Sequence, residues 1–271
     1  MIKQAIIPLA GLGTRLLPLS SVIPKELLPI NGKTNLEHIL DECIDAGIKK
    51  FILVISKKKE NIKKYFFNDH LYKSILAKKQ NKRIGVVFKK LKKYQKMIKF
   101  VYQNEPKGTG DAILKCKRLI KESHFLMLFP DDLIVKRNCS KEMIALYKKT
   151  KGSIISTKTV KKNVVSRYGI LSLEKKNNYF TIKDVVEKPS LKNSPSNYAI
   201  VGRYILPKTI MSELKNINPG QGGELHITDA IKKLIKNGEK FYANKFKGEY
   251  LDCGTLDGYI ISGTKIVRGK K

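Results

Sequence analysis

Short apolar runs alternate with stretches of helical periodicity along this chain, and that alternation restricts it to an α/β fold built on a sheet. Gln4–Ala10, Lys50–Ser56, Lys99–Gln103, His124–Pro130 and Ser153–Val160 read as strands. Between the first two, Leu36, Ile39, Leu40, Cys43 and Ile44 follow the spacing of one helix face, with Gly47 placed to close it. Gly110–Lys121 and Ser140–Thr150 read as further helices, and Lys57–Met97 as lysine-rich helical pieces. The second half carries more strands: Gly169–Glu174, Phe180–Val186 and Ala199–Leu206, separated by turn signals such as Lys176-Asn177-Asn178. A helix with Ile227, Ala230, Ile231, Leu234 and Ile235 on one face then ends near Gly238. Neither an internal repeat nor a low-complexity linker divides the sequence, so one mixed α/β domain over residues 1–271 is expected.

The first strand empties into Leu9-Ala10-Gly11-Leu12-Gly13-Thr14-Arg15, followed by Pro24-Lys25-Glu26. A glycine-bearing turn after a buried strand exposes bare backbone N–H groups that can wrap a phosphate chain. Arg15 and Lys25 add fixed positive charge beside it. The pattern excludes a Walker P-loop, because no Gly-Lys-Ser/Thr follows at the required spacing. It also excludes the dinucleotide fingerprint, whose third glycine is replaced by Leu16. What is left is a nucleotide site furnished with catalytic cations.

Composition bears on partners and compartment. The chain has 55 Lys+Arg against 23 Asp+Glu, a formal charge of +32 that raises the possibility of a basic nucleic-acid-binding protein. The excess is nearly all Lys and is spread over most elements, densest between Lys57 and Lys99. No aromatic-interleaved RNA-binding segment, helix-turn-helix or zinc module accompanies it, so it reads as solvated faces rather than a specific polyanion site. Such a surface still draws anionic substrates inward. Cys43, Cys116, Cys139 and Cys253 are scattered without a Cys-x-x-Cys pair, as expected of reduced thiols in a cytoplasmic protein. No run is apolar enough for a membrane span, and the first twelve residues lack the layout of a secretion signal.

Further segments carry chemistry. In Gln103-Asn104-Glu105-Pro106-Lys107-Gly108-Thr109-Gly110 a side-chain amide offers both donor and acceptor, matching a uracil or thymine edge, while the glycines allow backbone to approach a flat base. Pro130-Asp131-Asp132 places carboxylates at a strand end, where open α/β sheets bind ligands, with Asp132 read as a turn-forming helper. Asp252, in Tyr250-Leu251-Asp252-Cys253-Gly254-Thr255, is a second candidate carboxylate; Mg²⁺ needs only one or two such oxygens plus substrate phosphates. Val185-Val186-Glu187-Lys188-Pro189 sets an acid for sugar hydroxyls beside a base for a sugar phosphate, and Tyr168-Gly169 offers a small surface against the same sugar.

AGLGTRLLP with IPKELLP, Gln-x-x-x-Lys-Gly-x-Gly-x-Ala, PDD, RYG, VEKP, NYAIVGRYIL, GGELHITDAI and LDCGT follow one another in an order that resembles bacterial UTP–glucose-1-phosphate uridylyltransferases, also called UDP-glucose pyrophosphorylases. The likeness spans nearly the whole chain. It implies a nucleotide-diphospho-sugar transferase fold, a Rossmann-like mixed sheet flanked by helices. It also implies an enzyme that joins UTP and glucose 1-phosphate with Mg²⁺, releases pyrophosphate, and assembles as a dimer or tetramer. By matching motifs, Ala10, Gly11, Gly13, Gln103 and Gly108 contact the nucleotide, with Glu26 nearby. Arg15 and Lys25 hold the triphosphate, Asp131 and Asp252 bind Mg²⁺, Gly169 and Glu187 bind glucose, and Lys188 meets its phosphate. Two departures stand out: Ser20-Ser21 replaces the usual Thr-Lys, and Lys33-Thr34 the usual Lys-Pro. The nearest alternative activity is glucose-1-phosphate thymidylyltransferase, since the two bases present the same pairing edge and differ by one methyl.

Overall fold

In the computed structural model, residues 2–78 and 82–268 are described. The first half builds a parallel sheet. β1 (Gln4–Pro8) leads through the glycine turn to two short strands, β2 (Pro29–Ile30) and β3 (Lys33–Thr34), and into α1 (Asn35–Asp45). β4 (Lys50–Ile55), the helices α2 (Glu60–Phe67), α3 (His70–Lys78) and α4 (Lys82–Gln95), β5 (Ile98–Tyr102), α5 (Gly108–Lys115) and β6 (His124–Leu128) follow. The middle of the expected Lys57–Met97 stretch, residues 79–81, lies outside the described residues. The second half comprises β7 (Asp132–Val135), α6 (Cys139–Thr150), β8 (Ser153–Thr159), β9 (Gly169–Lys176), β10 (Tyr179–Glu187), β11 (Tyr198–Pro207), α7 (Ile210–Lys215), α8 (Ile227–Lys236), β12 (Phe241–Lys245), β13 (Glu249–Asp252) and α9 (Leu256–Arg268).

Among the described residues the main sheet has nine strands in the order β5-β4-β1-β6-β11-β8-β12-β10-β9. β5, β4, β1 and β6 are parallel, and β11 runs antiparallel to both β6 and β8. The expected mixed sheet flanked by helices is therefore what forms. Strand alternation sorts its side chains onto two faces. Ala5, Ile7, Phe51, Leu53, Leu126 and Leu128 pack into one buried cluster with Leu36, Ile39 and Leu40 of α1. Ile6, Ile52, Val54, Phe125 and Met127 enter the other, with Ala112 and Ile113 of α5 and Ile227, Ala230 and Ile231 of α8. Because α/β connections leave β1 toward β4 on one side and β6 on the other, the loops after β1 and β6 diverge and leave a crevice at their carboxyl ends.

One local reading changes. The helix expected over Gly110–Lys121 stops at Lys115. Gln4, buried on β1, donates to the Leu119 carbonyl and accepts from the Lys121 and Glu122 N–H groups, so this backbone bonds to a neighbouring strand instead of continuing the helix. Thr34 is the N-cap of α1: it accepts from Glu37 N–H while Glu37 accepts from Thr34 N–H, a reciprocal capping box.

A separate two-stranded ribbon decides where the site lies. β7 and β13 pair antiparallel with Asp132 opposite Asp252, and Cys253 N–H donates to the Asp131 carbonyl at 2.7 Å. Carboxylates more than a hundred positions apart in sequence thus meet beside the end of β6.

Candidate active site

Two cavities share one wall. The first, about 450 Å³, is lined by Gly11, Gly13, Arg15, Lys25, Gln103 and Gly108. The second, about 360 Å³, is lined by Gly169, Glu187, Lys188, Thr228, Tyr250 and Asp252. Arg15, Thr109, Phe129, Asp131 and Glu224 border both. Sequence-distant Arg15, Asp131, Lys188 and Asp252 thus line a single cavity, and the cleft as a whole has two compartments that meet at Arg15 and Asp131. Ala10 is buried just behind the glycine turn and is not among the lining residues.

The cations are set on the loop after β1. Gly13 takes φ +71°, a conformation that strains a residue bearing Cβ. Ser20 donates its hydroxyl to the Gly13 carbonyl at 2.8 Å and ties the loop down. Lys25 Nζ lies 2.5 Å from Asp131 Oδ2, and Arg15 Nη2 3.7 Å from the same oxygen. Burial works against the charged forms of both Lys25 and Asp131. Their mutual attraction prevails, raising Lys25 above the ordinary lysine range and holding Asp131 below the usual carboxylate range. Glu26 points the other way: it is buried and receives Lys59 Nζ at 2.7 and 2.9 Å, anchoring the Pro-Lys-Glu turn from beneath.

Gly254 marks the point where the charged groups converge. A Cβ there would lie 2.8 Å from Arg15 Nη2, 2.9 Å from Asp131 Oδ2 and 3.1 Å from Asp252 Oδ1. Two hard carboxylate oxygens on one small volume suit Mg²⁺, which takes one or two protein carboxylates and completes its shell with water and phosphate. Among the described residues no cluster of three or more His, Cys, Asp or Glu side chains forms a closed metal cage. The donor set fits an ion shared with a phosphorylated substrate.

Gln103 is placed differently from the simplest reading of its amide. Its Nε2 donates to the Gly108 carbonyl at 2.9 Å and to Asp111 Oδ2 at 2.8 Å, so both donor positions brace the loop. Gly108 has φ +89°, and a Cβ on it would sit 2.7 Å from the Leu225 carbonyl. Leu225 also bonds that segment in both directions, donating to the Lys107 carbonyl and accepting from Gly110 N–H.

The second compartment holds groups that the strand pattern did not single out. Thr228 donates its hydroxyl to Glu187 Oε2 at 3.0 Å, and Gly169 leaves room for both: its Cβ would meet Glu187 Oε2 and Thr228 Cγ2 at 3.3 Å each. Tyr250 donates to Asp132 Oδ1, and Gly202 N–H donates to Asp132 Oδ2 at 2.8 Å. Asp132 is therefore a wall component whose carboxyl is pushed up by burial and by neighbouring Asp131. Thr228 and Glu224 belong to the GGELHITDAI motif, so their presence was readable as a motif but not as a role. Tyr250 carried no signal beyond standing two residues from Asp252.

A nucleotidyl transferase family model matches residues 4–268. The chain belongs to the nucleotidyl transferase family. Among its relatives, a UTP–glucose-1-phosphate uridylyltransferase of Mycoplasma pneumoniae is 36% identical over 263 residues, covering 96% of this chain and 90% of that one. A crystal structure of UDP-glucose pyrophosphorylase complexed with UDP-glucose is 33% identical, with TM-score 0.87 over 99% of this chain and all of that one. A UTP-bound UDP-glucose pyrophosphorylase from Acinetobacter baumannii is 32% identical, with TM-score 0.83 over 98% of this chain and 93% of the other. This nucleotidyl transferase is thus similar to them along nearly its full length.

Proposed function

We propose that this chain transfers the uridylyl group of UTP to glucose 1-phosphate, giving UDP-glucose and pyrophosphate. The observation that carries this reading is the two-compartment cleft sharing Arg15 and Asp131, because two anionic substrates must meet where cations and a metal offset their repulsion. The relatives named above act on, or are bound to, these same nucleotides.

In this reading the loop of Gly11 and Gly13, with Gly108 and the amide oxygen of Gln103, receives the nucleotide; Ala10 packs behind it. Arg15 and Lys25 hold the triphosphate and the departing pyrophosphate, with Glu26 fixing the Lys25 turn through Lys59. Glu187, oriented by Thr228, accepts hydroxyls of glucose against Gly169, and Lys188 meets the sugar phosphate. Asp131 and Asp252 hold Mg²⁺, which supplies charge stabilisation at the phosphates when bound. The glucose 1-phosphate oxygen attacks the α-phosphorus in line, the bond to the β-phosphate oxygen breaks, and pyrophosphate leaves. The nucleophile is already anionic, so the chain contributes position and charge rather than a strong base.

The catalytic unit spans residues 1–271 in this proposal, and it acts as a homo-oligomer, dimer or tetramer. Leu256, Ile260, Ile261 and Val267 form an exposed apolar set on α9 that fits burial against another copy. Four buried free cysteines fit a reducing, cytoplasmic setting, and among the described residues no helix is long and apolar enough to cross a membrane.

The test is pyrophosphate release from UTP, dTTP, ATP and CTP with glucose 1-phosphate, with and without Mg²⁺. Turnover with UTP that requires Mg²⁺ and exceeds the other nucleotides is expected. Preference for dTTP would move the activity to the thymidylyl class, and no release with any nucleotide would refute the reading.

A further inference from the structure

Lys158, on β8, lies outside every motif that marks the site and is not itself a lining residue of the cleft, yet its ammonium backs two rings that are. Its ammonium sits 3.3 Å from the centroid of the Tyr250 ring and 5.2 Å from that of Tyr168. Both rings line the sugar-side cavity, one arriving on β13 and the other just before β9. Among the described residues, no carboxylate oxygen lies within 4.0 Å of Lys158 Nζ, although Asp132 and Asp252 attract it from farther off. A lysine that is partly buried on a strand, faces two aromatic rings and lacks a close ion pair is held chiefly by ring electrostatics. Its position matters because Tyr250 is not a passive wall. The hydroxyl of that ring donates to Asp132, whose other oxygen is held by Gly202 N–H, and Asp132 lies opposite Asp252 in the β7–β13 ribbon.

We infer that Lys158 is a positioning residue for the sugar half of the cleft: with its ammonium against the Tyr250 ring and near that of Tyr168, it fixes the Tyr250–Asp132–Gly202 chain that shapes that compartment. This rests on the functional reading above and adds to it a residue outside the recognised motifs. The nucleotide compartment is lined by none of Tyr168, Tyr250, Gly202 or Asp132, so the effect is confined to one substrate. The two substrates therefore separate a local role from general damage.

The test compares wild type with Lys158→Met, which keeps the stem and removes the charge, and Lys158→Arg, which keeps a cation on the rings. Tyr250→Phe, which keeps the ring and removes the hydrogen bond to Asp132, is the third variant. Lys158→Met is expected to raise KM for glucose 1-phosphate roughly three- to tenfold with KM for UTP unchanged. Lys158→Arg is expected to recover most of that loss. Tyr250→Phe should show the same one-sided KM effect, and adding Lys158→Met to it should cost little more, because both act through one link. Unchanged KM values in Lys158→Met, equal shifts in both KM values, or Lys158→Arg as impaired as Lys158→Met would each overturn the inference. Melting temperatures of all variants show whether a shift in both KM values comes from loosened folding. Absence of turnover by the wild type overturns the functional reading together with this one. Normal wild-type turnover with an indifferent Lys158→Met overturns this one alone.

Discussion

Arg203, fully buried on β11, donates from Nη2 to Glu42 of α1 at 2.9 Å. Its Nη1 donates to the Phe129 and Gly202 carbonyls at 3.2 and 2.9 Å, so the same guanidinium holds the backbone just before Pro130-Asp131. Glu42 is in turn capped by Ser140 N–H and Oγ. All three guanidinium nitrogens and both Glu42 oxygens are engaged, and the pair makes sense as a brace for the loop carrying Asp131 rather than as net stabilisation.

Removing one partner should therefore be costly. Arg203→Met leaves Glu42 buried without its counter-charge and is expected to lower unfolding free energy by about 3–5 kcal/mol. Urea denaturation of the variant measures it; a loss under about 1 kcal/mol would show that the pair does not brace the loop as described.

Lys25 is a test of chemistry more than of folding. Its ammonium makes the shorter of the two ion pairs of Asp131, at 2.5 Å, and the turn carrying it is independently anchored by Glu26 and Lys59. Lys25→Ala is expected to cut turnover by about 10²–10³-fold, the usual effect of losing one preorganised group at a developing charge. Circular dichroism should meanwhile show native secondary structure. Asp131→Ala should lose activity at least as severely, and near-normal turnover by either variant counts against the mechanism.

Gly254→Ala puts a methyl where Arg15 Nη2, Asp131 Oδ2 and Asp252 Oδ1 converge. All three must shift, and two of them are the carboxylates assigned to Mg²⁺. The Mg²⁺ concentration for half-maximal activity should rise about tenfold or more, as for other losses of ligand orientation. A magnesium titration with unchanged midpoint would place the metal elsewhere.

Lys158 also leaves a mark on stability. Burial lowers it from the ordinary 10.5 to about 8. Between those values the unfolded chain retains a proton that the folded chain has released, so this group's contribution to stability rises with pH across that window and is lost as pH falls through 8. Relative to wild type, Lys158→Met should be at its most stable below pH 8, and the difference should shrink toward pH 10.5. Urea titrations of both proteins at pH 7, 8, 9 and 10 read this directly, and a difference independent of pH would mean that Lys158 is solvated.

The surface charge and the sheet were legible without coordinates because each depends on residues close in sequence. Alternation of Ala5, Ile6 and Ile7 assigns two faces to β1 wherever the strand is placed, and Gly13 marks a turn whatever follows it. The helix after Gly108 was misjudged at its end because the deciding partner, Gln4, comes from a strand more than a hundred residues away. Gln103 was read as free to face a base, but Asp111 and the Gly108 carbonyl take its donors.

The order of motifs along the polypeptide was enough to name the family and the groups of interest, since those are matters of residue type and spacing. Their arrangement needed the folded molecule: the β7–β13 pairing that sets Asp252 opposite Asp132, the Leu225 bonds that tie the loop at Gly108 to the segment before α8, and the rings that hold Lys158. Contacts of this kind bring together segments whose separation along the chain leaves no local periodicity or propensity to read, and only packing of the complete sheet and its ribbon selects them.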